Sequence, residues 1–328
     1  MKRKFSLLDC AQCFAALLVV LVHCGRLAEN DLVHFLLKSL LCRWAVPFFL
    51  VLNGYFFRKK QYLLKEWILR QLKIYILWSI IYLPYGMMYL QQLALPVYFY
   101  PVAFGFAFFM IGICYHLWYF PALISGMWLV HKTRKWGYPI QFGLASFLYV
   151  IGSSETYSSY LEGPLLTFYD IYKSLFLTTR NGLFYSFIFL LCGTFLADYQ
   201  KHSIFQNHLR KKIALLLLFL LIEGGIIYIN QGDDKNFLLM MVPVALFMTA
   251  FLVKNSKIQS SQSSLLRQGS RAFFFIHPFV LESGKTIASL HGIPLFVFTV
   301  LGVSGLVAVK VNLVKIIDTL YQAEYGEW

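Results

Sequence analysis

Long apolar runs separated by short polar breaks dominate this chain, with each run near the roughly 20 residues that a helix needs to cross a bilayer. The pattern predicts an all-α, polytopic membrane helix bundle of about ten transmembrane helices, both termini cytoplasmic. The predicted spans are 5–25, 34–57, 74–92, 116–131, 139–153, 182–198, 213–229, 236–253, 272–288 and 293–314. Two further segments do not read as spans. Residues 97–115, apolar and aromatic behind Pro96 and Pro101, read as re-entrant or interfacial. Residues 164–180 look amphipathic and belong at the outer surface. Residues 255–269, NSKIQSSQSSLLRQG, read as a polar cytoplasmic linker within one domain covering 1–328. The alternating ten-residue segments of a membrane β-barrel are not seen.

Charge orients the bundle. Most of the 29 Lys and Arg fall in alternate breaks, as expected where basic residues are kept on the cytoplasmic side. Lys2, Arg3 and Lys4 precede the first run, and the most basic loop holds Arg58, Lys59, Lys60, Lys65, Arg70 and Lys73. The intervening breaks carry acids instead: Glu155 and Glu162, then Asp233 and Asp234.

Composition narrows the function classes. The chain of 328 residues is 59% hydrophobic and 13% charged, against about 25% charged in soluble domains. The net charge of +14 would suit nucleic acid, but its basic residues sit in short clusters between apolar runs, so no nucleic-acid partner is expected. Six cysteines all lie in or beside apolar segments. Cys10 and Cys13 have CxxC spacing without a matching second pair, which favours helix packing over metal binding; no metal is expected. No GxxxxGK[ST], GxSxG or HExxH occurs, so the main supports of an ATPase, a serine-elbow hydrolase and a zinc protease are missing.

Candidate chemistry begins with ionisable groups inside predicted spans, because such groups are expensive there and tend to face a cavity. His23 lies near the outer end of the first span. Gln12 sits eleven residues earlier, on the same helical face and about 16 Å away along the axis. A histidine titrates near neutrality and can take a proton from a hydroxyl; the plainer reading is a helix-end side chain touching headgroups. His116 opens YHLWYF (115–120), where Trp118 and Tyr119 suit a membrane anchor. Arg43 and Asn53 lie in the second span, which Pro47 is expected to bend around a polar cavity. Arg180 stands at the outer mouth of the sixth span, as an anion ligand or a cap. His277 precedes Pro278 in the ninth. Glu223 and Glu282 are the intramembrane carboxylates, either of which could orient a histidine. The loop around Arg70 suits an anionic donor from the cytoplasm.

Together these segments resemble the integral-membrane acyltransferase family (the acyltransferase-3 group). LLDCAQCFAALLVVLVH looks like its first-helix signature, an Asp three residues before an Arg and a His eleven residues after it. Asp9 and His23 match, and Gln12 stands in the place of the Arg. VPFFLVLNGYFF (46–57) resembles the second-helix motif with Asn53 in place of Ser; YHLWYFPAL (115–123), TTRNGLFYSFIFLLCG (178–193) and FFFIHP (273–278) also match. YHLW and TTRNG give the chain a flavour near the membrane part of membrane-bound serine racemases. The resemblance implies a multi-pass protein of a bacterial plasma membrane, contacting membrane lipids. It implies transfer of an acyl group, usually acetyl from acetyl-CoA, to a hydroxyl of an envelope or capsular polysaccharide or its lipid-linked precursor. His23 and His116 are then the catalytic candidates. Gln12, Arg43, Asn53, Arg70, Trp118, Arg180 and His277 are the substrate or donor contacts, with donor binding shifted to Arg43 or Arg70. The alternative is a transporter-like module for an amino acid or a lipid-linked sugar, without acyl transfer.

Overall fold

A computed structural model describes residues 6–93, 95–256 and 261–325; side chains are described except at 176, 261–264 and 310–325. The basic residues at 2–4 and Lys257 lie outside the described residues. Helices α1 to α15 are Leu7–Val22, Asp31–Phe35, Ala45–Lys59, Leu64–Ile81, Leu83–Gln92, Tyr100–Phe106, Tyr119–Thr133, Gly137–Gly152, Gly163–Phe176, Phe187–Tyr199, Ser203–Gln206, Leu209–Ile229, Met241–Asn255, Ser261–Ala288 and Gly292–Tyr325. No strand occurs among the described residues.

Four helical stretches are long and apolar enough to cross a membrane: Asp31–Lys59, Gly182–Tyr199, Leu209–Ile229 and Gly292–Val309. Shorter apolar helices cover Leu7–Val22, Val97–Ile111 and Met241–Asn255. The window that qualifies Leu209–Ile229 is only 17% buried and that of Gly292–Val309 only 22%. Apolar surface of that extent is a liability in water and is solvated by lipid chains in a bilayer.

Several boundaries differ from the expected ones. The stretch predicted as a span over 74–92 is two helices, α4 from Leu64 and α5 from Leu83, separated at Tyr82. Pro84 enters α5 in its first turn, where its missing N–H costs nothing and its ring discourages continuation from α4. Pro47 likewise sits in the first turn of α3; the irregularity lies upstream, in a π-helical Leu36–Leu41 and a 3-10 turn Cys42–Trp44. Helix α14 begins at Ser261, so the later part of the segment read as a linker is helical.

The chain forms two compact units. The first combines Met1–Lys38 with Ser256–Trp328. In it, the Leu8 N–H and the Ser6 hydroxyl meet the Ser256 hydroxyl at 2.9 and 2.6 Å, which serves an exposed donor at the start of α1. Higher up, Arg267 meets Asp9 and Ser270 meets Gln12. The partners advance together along both helices, so α1 and α14 run parallel. α15 turns back against α14, where a Cβ on Gly302 would meet Val280 and one on Gly284 would meet Leu295 and Phe298. The return begins at Gly292, whose φ is +60° and whose N–H donates to the Cys24 carbonyl at 2.8 Å. Only glycine suits that backbone, and a Cβ would lie 2.4 Å from the Arg26 carbonyl oxygen.

The second unit, Ser39–Asn255, is built on α3 and α10. A Cβ on Gly54 would fall 2.2 Å from the Leu190 carbonyl oxygen, and one on Gly193 2.1 Å from that of Val51. The two glycines bring the helix backbones into direct contact, the packing mode of small residues in membrane helices. Phe48, Leu50, Phe189, Leu190 and Leu191 are fully enclosed beside this crossing.

Candidate functional site

In the first unit, His23 caps the C-terminus of α1. Its ring stacks on that of His277 from α14, with centroids 5.6 Å apart and planes 18° from parallel. His277 is fully buried. Its Nδ1 lies 2.7 Å from the Phe273 carbonyl oxygen and 3.0 Å from that of Phe274. Two acceptors at Nδ1 assign the proton there, leaving Nε2 as the lone-pair nitrogen. Pro278 assists, because it lacks an N–H and cannot occupy the carbonyl of Phe274 four residues back. At the other end of α1, Asp9 is buried and receives Arg267 Nη1 at 3.0 Å. Gln12 is half-buried, and its backbone carbonyl accepts from Ser270 Oγ at 3.1 Å.

The intramembrane carboxylates have defined work. Glu223, in the second unit, accepts from the Tyr157 hydroxyl and from the backbone N–H groups of Leu239 and Met240. It thereby serves donors at the entry to α13, where a negative charge is favoured. Glu282, in the first unit, pairs with Lys285 at 3.0 Å.

The second unit gathers Arg43, Trp118 and Arg180 around an acidic pair that the sequence reading left as loop acids. Arg43, on the 3-10 turn before α3, donates from Nη1 to Asn236 Oδ1. Asn236 donates its side-chain amide to Asp234 Oδ2 and its backbone N–H to Oδ1, the latter at 3.0 Å. Thr156 donates to the same Oδ1 at 3.0 Å. Glu155 accepts from the Thr179 N–H and shares a hydrogen bond with the Asp234 carboxyl. Burial first, and then the neighbouring Asp234, push Glu155 up to about 8. Burial also opposes ionisation of Asp234, but the hydrogen bonds from Glu155 and Asn236 and the Arg180 charge outweigh it and hold that carboxyl below its usual range. The opposite directions of the two groups favour one proton shared by the pair.

Arg180 follows the buried Thr179, and its guanidinium carbon lies 5.7 Å from the centroid of the Trp118 ring. Trp118 meets Tyr185 edge-on at 5.7 Å, and Tyr185 meets Phe237 at 4.9 Å, giving the charged cluster an aromatic wall. Asn181 caps the next helical turn by accepting from the N–H groups of Leu183 and Phe184, which fixes the TTRNG segment. His116 is buried with its ring edge-on to Tyr82 at 5.1 Å and Tyr115 at 5.8 Å. Asn53 is committed internally: its side-chain amide donates to the Phe49 carbonyl and to the Tyr119 hydroxyl at 3.0 and 2.9 Å.

Arg70 lies elsewhere. Its guanidinium carbon sits 5.1 Å from the centroid of Tyr62, and the guanidinium holds that phenol below its usual value. Tyr62 lines a cavity of about 320 Å³ with Arg58, His131, Arg134 and Tyr138. Arg58 lies in the last turn of α3 and Arg43 precedes the helix, a separation of about 22 Å along the axis. The second unit thus has two basic regions at opposite ends of one helix.

A helical, apolar protein with paired histidines between its helices and basic regions at both ends of a span has the makings of a membrane group-transfer protein. The chain belongs to the acyltransferase family: the model described as "Acyltransferase domain" matches residues 5–312, and the family is membrane-embedded. It is similar to a serine/alanine racemase of Enterococcus gallinarum, 30% identical over 73% of this chain and 36% of that protein. Two amino-acid racemases of Enterococcus faecalis are also similar. One is 28% identical over 71% of this chain and 33% of that protein; the other is 26% identical over 86% and 42%. The chain spans about a third to two fifths of the length of these relatives. No solved structure matches.

Proposed function

We propose that this protein transfers an acetyl group from acetyl-CoA to a hydroxyl of a cell-envelope polysaccharide or its lipid-linked precursor, in a bacterial plasma membrane, with His23 as the base. The observation that carries this reading is the contact between His23 and His277, inside a chain of the acyltransferase family. His23 takes the acceptor's proton as its oxygen attacks the thioester carbonyl. The carbon–sulfur bond breaks as the carbon–oxygen bond forms, and the proton passes to the departing thiolate. His277, with its proton on Nδ1 and its ring against His23, positions the base. The cavity beside Arg58, Tyr62 and Arg134 suits the phosphates of a donor arriving from the cytoplasm. Within the second unit, Arg43, Arg180 and Trp118 form a cluster suited to an anionic group. The test is glycan O-acetyl content, read by NMR in cells carrying wild-type protein or His23→Ala at equal membrane abundance. Loss of O-acetyl signal in the variant is expected.

A second reading is a module that binds or moves an amino acid. It is favoured by the similarity to amino-acid racemases and by the cluster of guanidinium and carboxyl groups around Asp234. Uptake of labelled serine by proteoliposomes without any acyl-CoA would select it.

A further inference from the structure

The charges around Asp234 do not balance within the cluster. Five ion pairs occur among the described residues, and neither Arg43 nor Arg180 takes part in any of them. Asp234 is near enough to act on both guanidinium groups. Its own oxygens are already used. Oδ1 accepts from Thr156 and the Asn236 N–H, Oδ2 accepts from the Asn236 amide, and the carboxyl shares a hydrogen bond with Glu155. A carboxylate offers about four lone-pair positions, so little capacity remains for a bidentate arginine.

The hydrogen bond between two carboxyls requires a proton between them, which leaves one negative charge on the pair. Two arginines and one carboxylate give a surplus of one positive charge. Arg43 Nε is closed off from solvent and has no hydrogen-bond partner among the described residues, while Nη1 is held by Asn236. Arg180 is fixed over Trp118, and its side chain makes a long hydrogen bond, 3.4 Å to Thr178 Oγ1. A half-buried cation without a matching anion is costly. A guanidinium oriented on an aromatic face keeps its N–H edge available for a planar anion.

We infer that Arg43 and Arg180 form a recognition site for a single carboxylate on the ligand of the second unit, with Trp118 orienting Arg180. One surplus charge matches a monocarboxylate better than a phosphate dianion. Two kinds of small molecule offer this group together with an acylatable hydroxyl: a hydroxy amino acid and an acidic sugar. The inference rests on the acyl-transfer reading only in taking that ligand as the acceptor.

The experiment is calorimetric titration of the full chain in nanodiscs with L-serine, D-glucuronate and the methyl ester of each. The expected result is that at least one acid binds and its ester binds roughly tenfold or more weakly. Arg180→Met should weaken that acid by roughly 10- to 100-fold, the loss of one charged hydrogen bond, with Arg180→Lys in between. A serine response assigns the amino-acid source, and a glucuronate response assigns the sugar. Equal binding of acid and ester, no binding of either acid, or an unchanged affinity in folded Arg180→Met would overturn the site. Acetylation by the same preparations reports separately. Carboxylate preference without acetylation removes the acyl-transfer reading and leaves the site; acetylation without that preference does the reverse.

Discussion

The two units hold their polar groups by opposite means. In the first, His23 and His277 meet through ring faces, and His277 is satisfied by two carbonyls of its own helix. The charges near them lie on neighbouring turns: Lys38 donates to the Gly25 carbonyl at 3.0 Å, and Glu282 pairs with Lys285 on the helix of His277; the Asp9–Arg267 pair lies at the far end of α1. In the second, Arg43, Asn236, Asp234, Glu155 and Thr179 form one hydrogen-bonded chain in which charge is shared and partly neutralised by a proton. The difference follows from surroundings. A neutral imidazole tolerates an apolar interior and remains able to accept a proton, whereas the half-buried guanidinium of Arg43 is held beside an amide and a carboxyl that answer its charge only in part. The first arrangement suits proton transfer, and the second suits recognition.

The largest effect is expected in the scaffold of the second unit. Gly193→Ala would put a Cβ 2.1 Å from the Val51 carbonyl oxygen, and neither backbone can yield. Destabilisation by about 3 kcal/mol is expected, seen as a lower unfolding midpoint of the purified protein. An unchanged midpoint would mean that the α3–α10 crossing is not the rigid base of the Arg43 cluster.

A smaller effect is expected where the first unit relies on ring contact. His277→Phe keeps an aromatic face beside His23 and removes the nitrogen pair. If His277 only fills space, acetylation should be retained. The positioning role predicts a loss of roughly 100-fold, with a shifted pH–rate profile because His23 loses a polar neighbour. A full-rate variant with an unchanged profile would reduce His277 to packing.

The mildest test sharpens the charged side. Glu155 is raised to about 8 from 4.5, so the folded state holds a proton that the unfolded chain has released. Its contribution to stability is full below pH 4.5 and lost as pH rises through about 8. Glu155→Gln keeps a donor for Asp234 and cannot ionise, so it should flatten the decline in unfolding midpoint over that window. An identical slope in the variant would show that the proton resides elsewhere.

Sequence reasoning reached some of this directly. The apolar runs marked the helices, because one long stretch of side chains suited to lipid can be read without knowing its neighbours. His23, His277, Arg43 and Arg180 stood out as polar residues where apolar ones were expected, and the family followed from ordered motifs. Pairings were not visible. Glu155 and Asp234 looked like ordinary loop acids, since their shared proton depends on a hydrogen bond across 79 positions of sequence. The signal available was the dense run DDKN beside an apolar segment. Asn53 and Glu223 looked available for substrate or histidine, and each is consumed by internal hydrogen bonds. The break at Tyr82 was foreshadowed by Pro84, yet the apolar run passes through it without a change in hydropathy.

The most direct test of the central claim is acetyl transfer by purified protein in nanodiscs, following radiolabelled acetyl-CoA into an envelope-glycan fraction with wild type and His23→Ala side by side. Label in the glycan is expected for wild type, with a drop of roughly 1,000-fold in the variant, at equal folding. Label transferred equally by both proteins would contradict it.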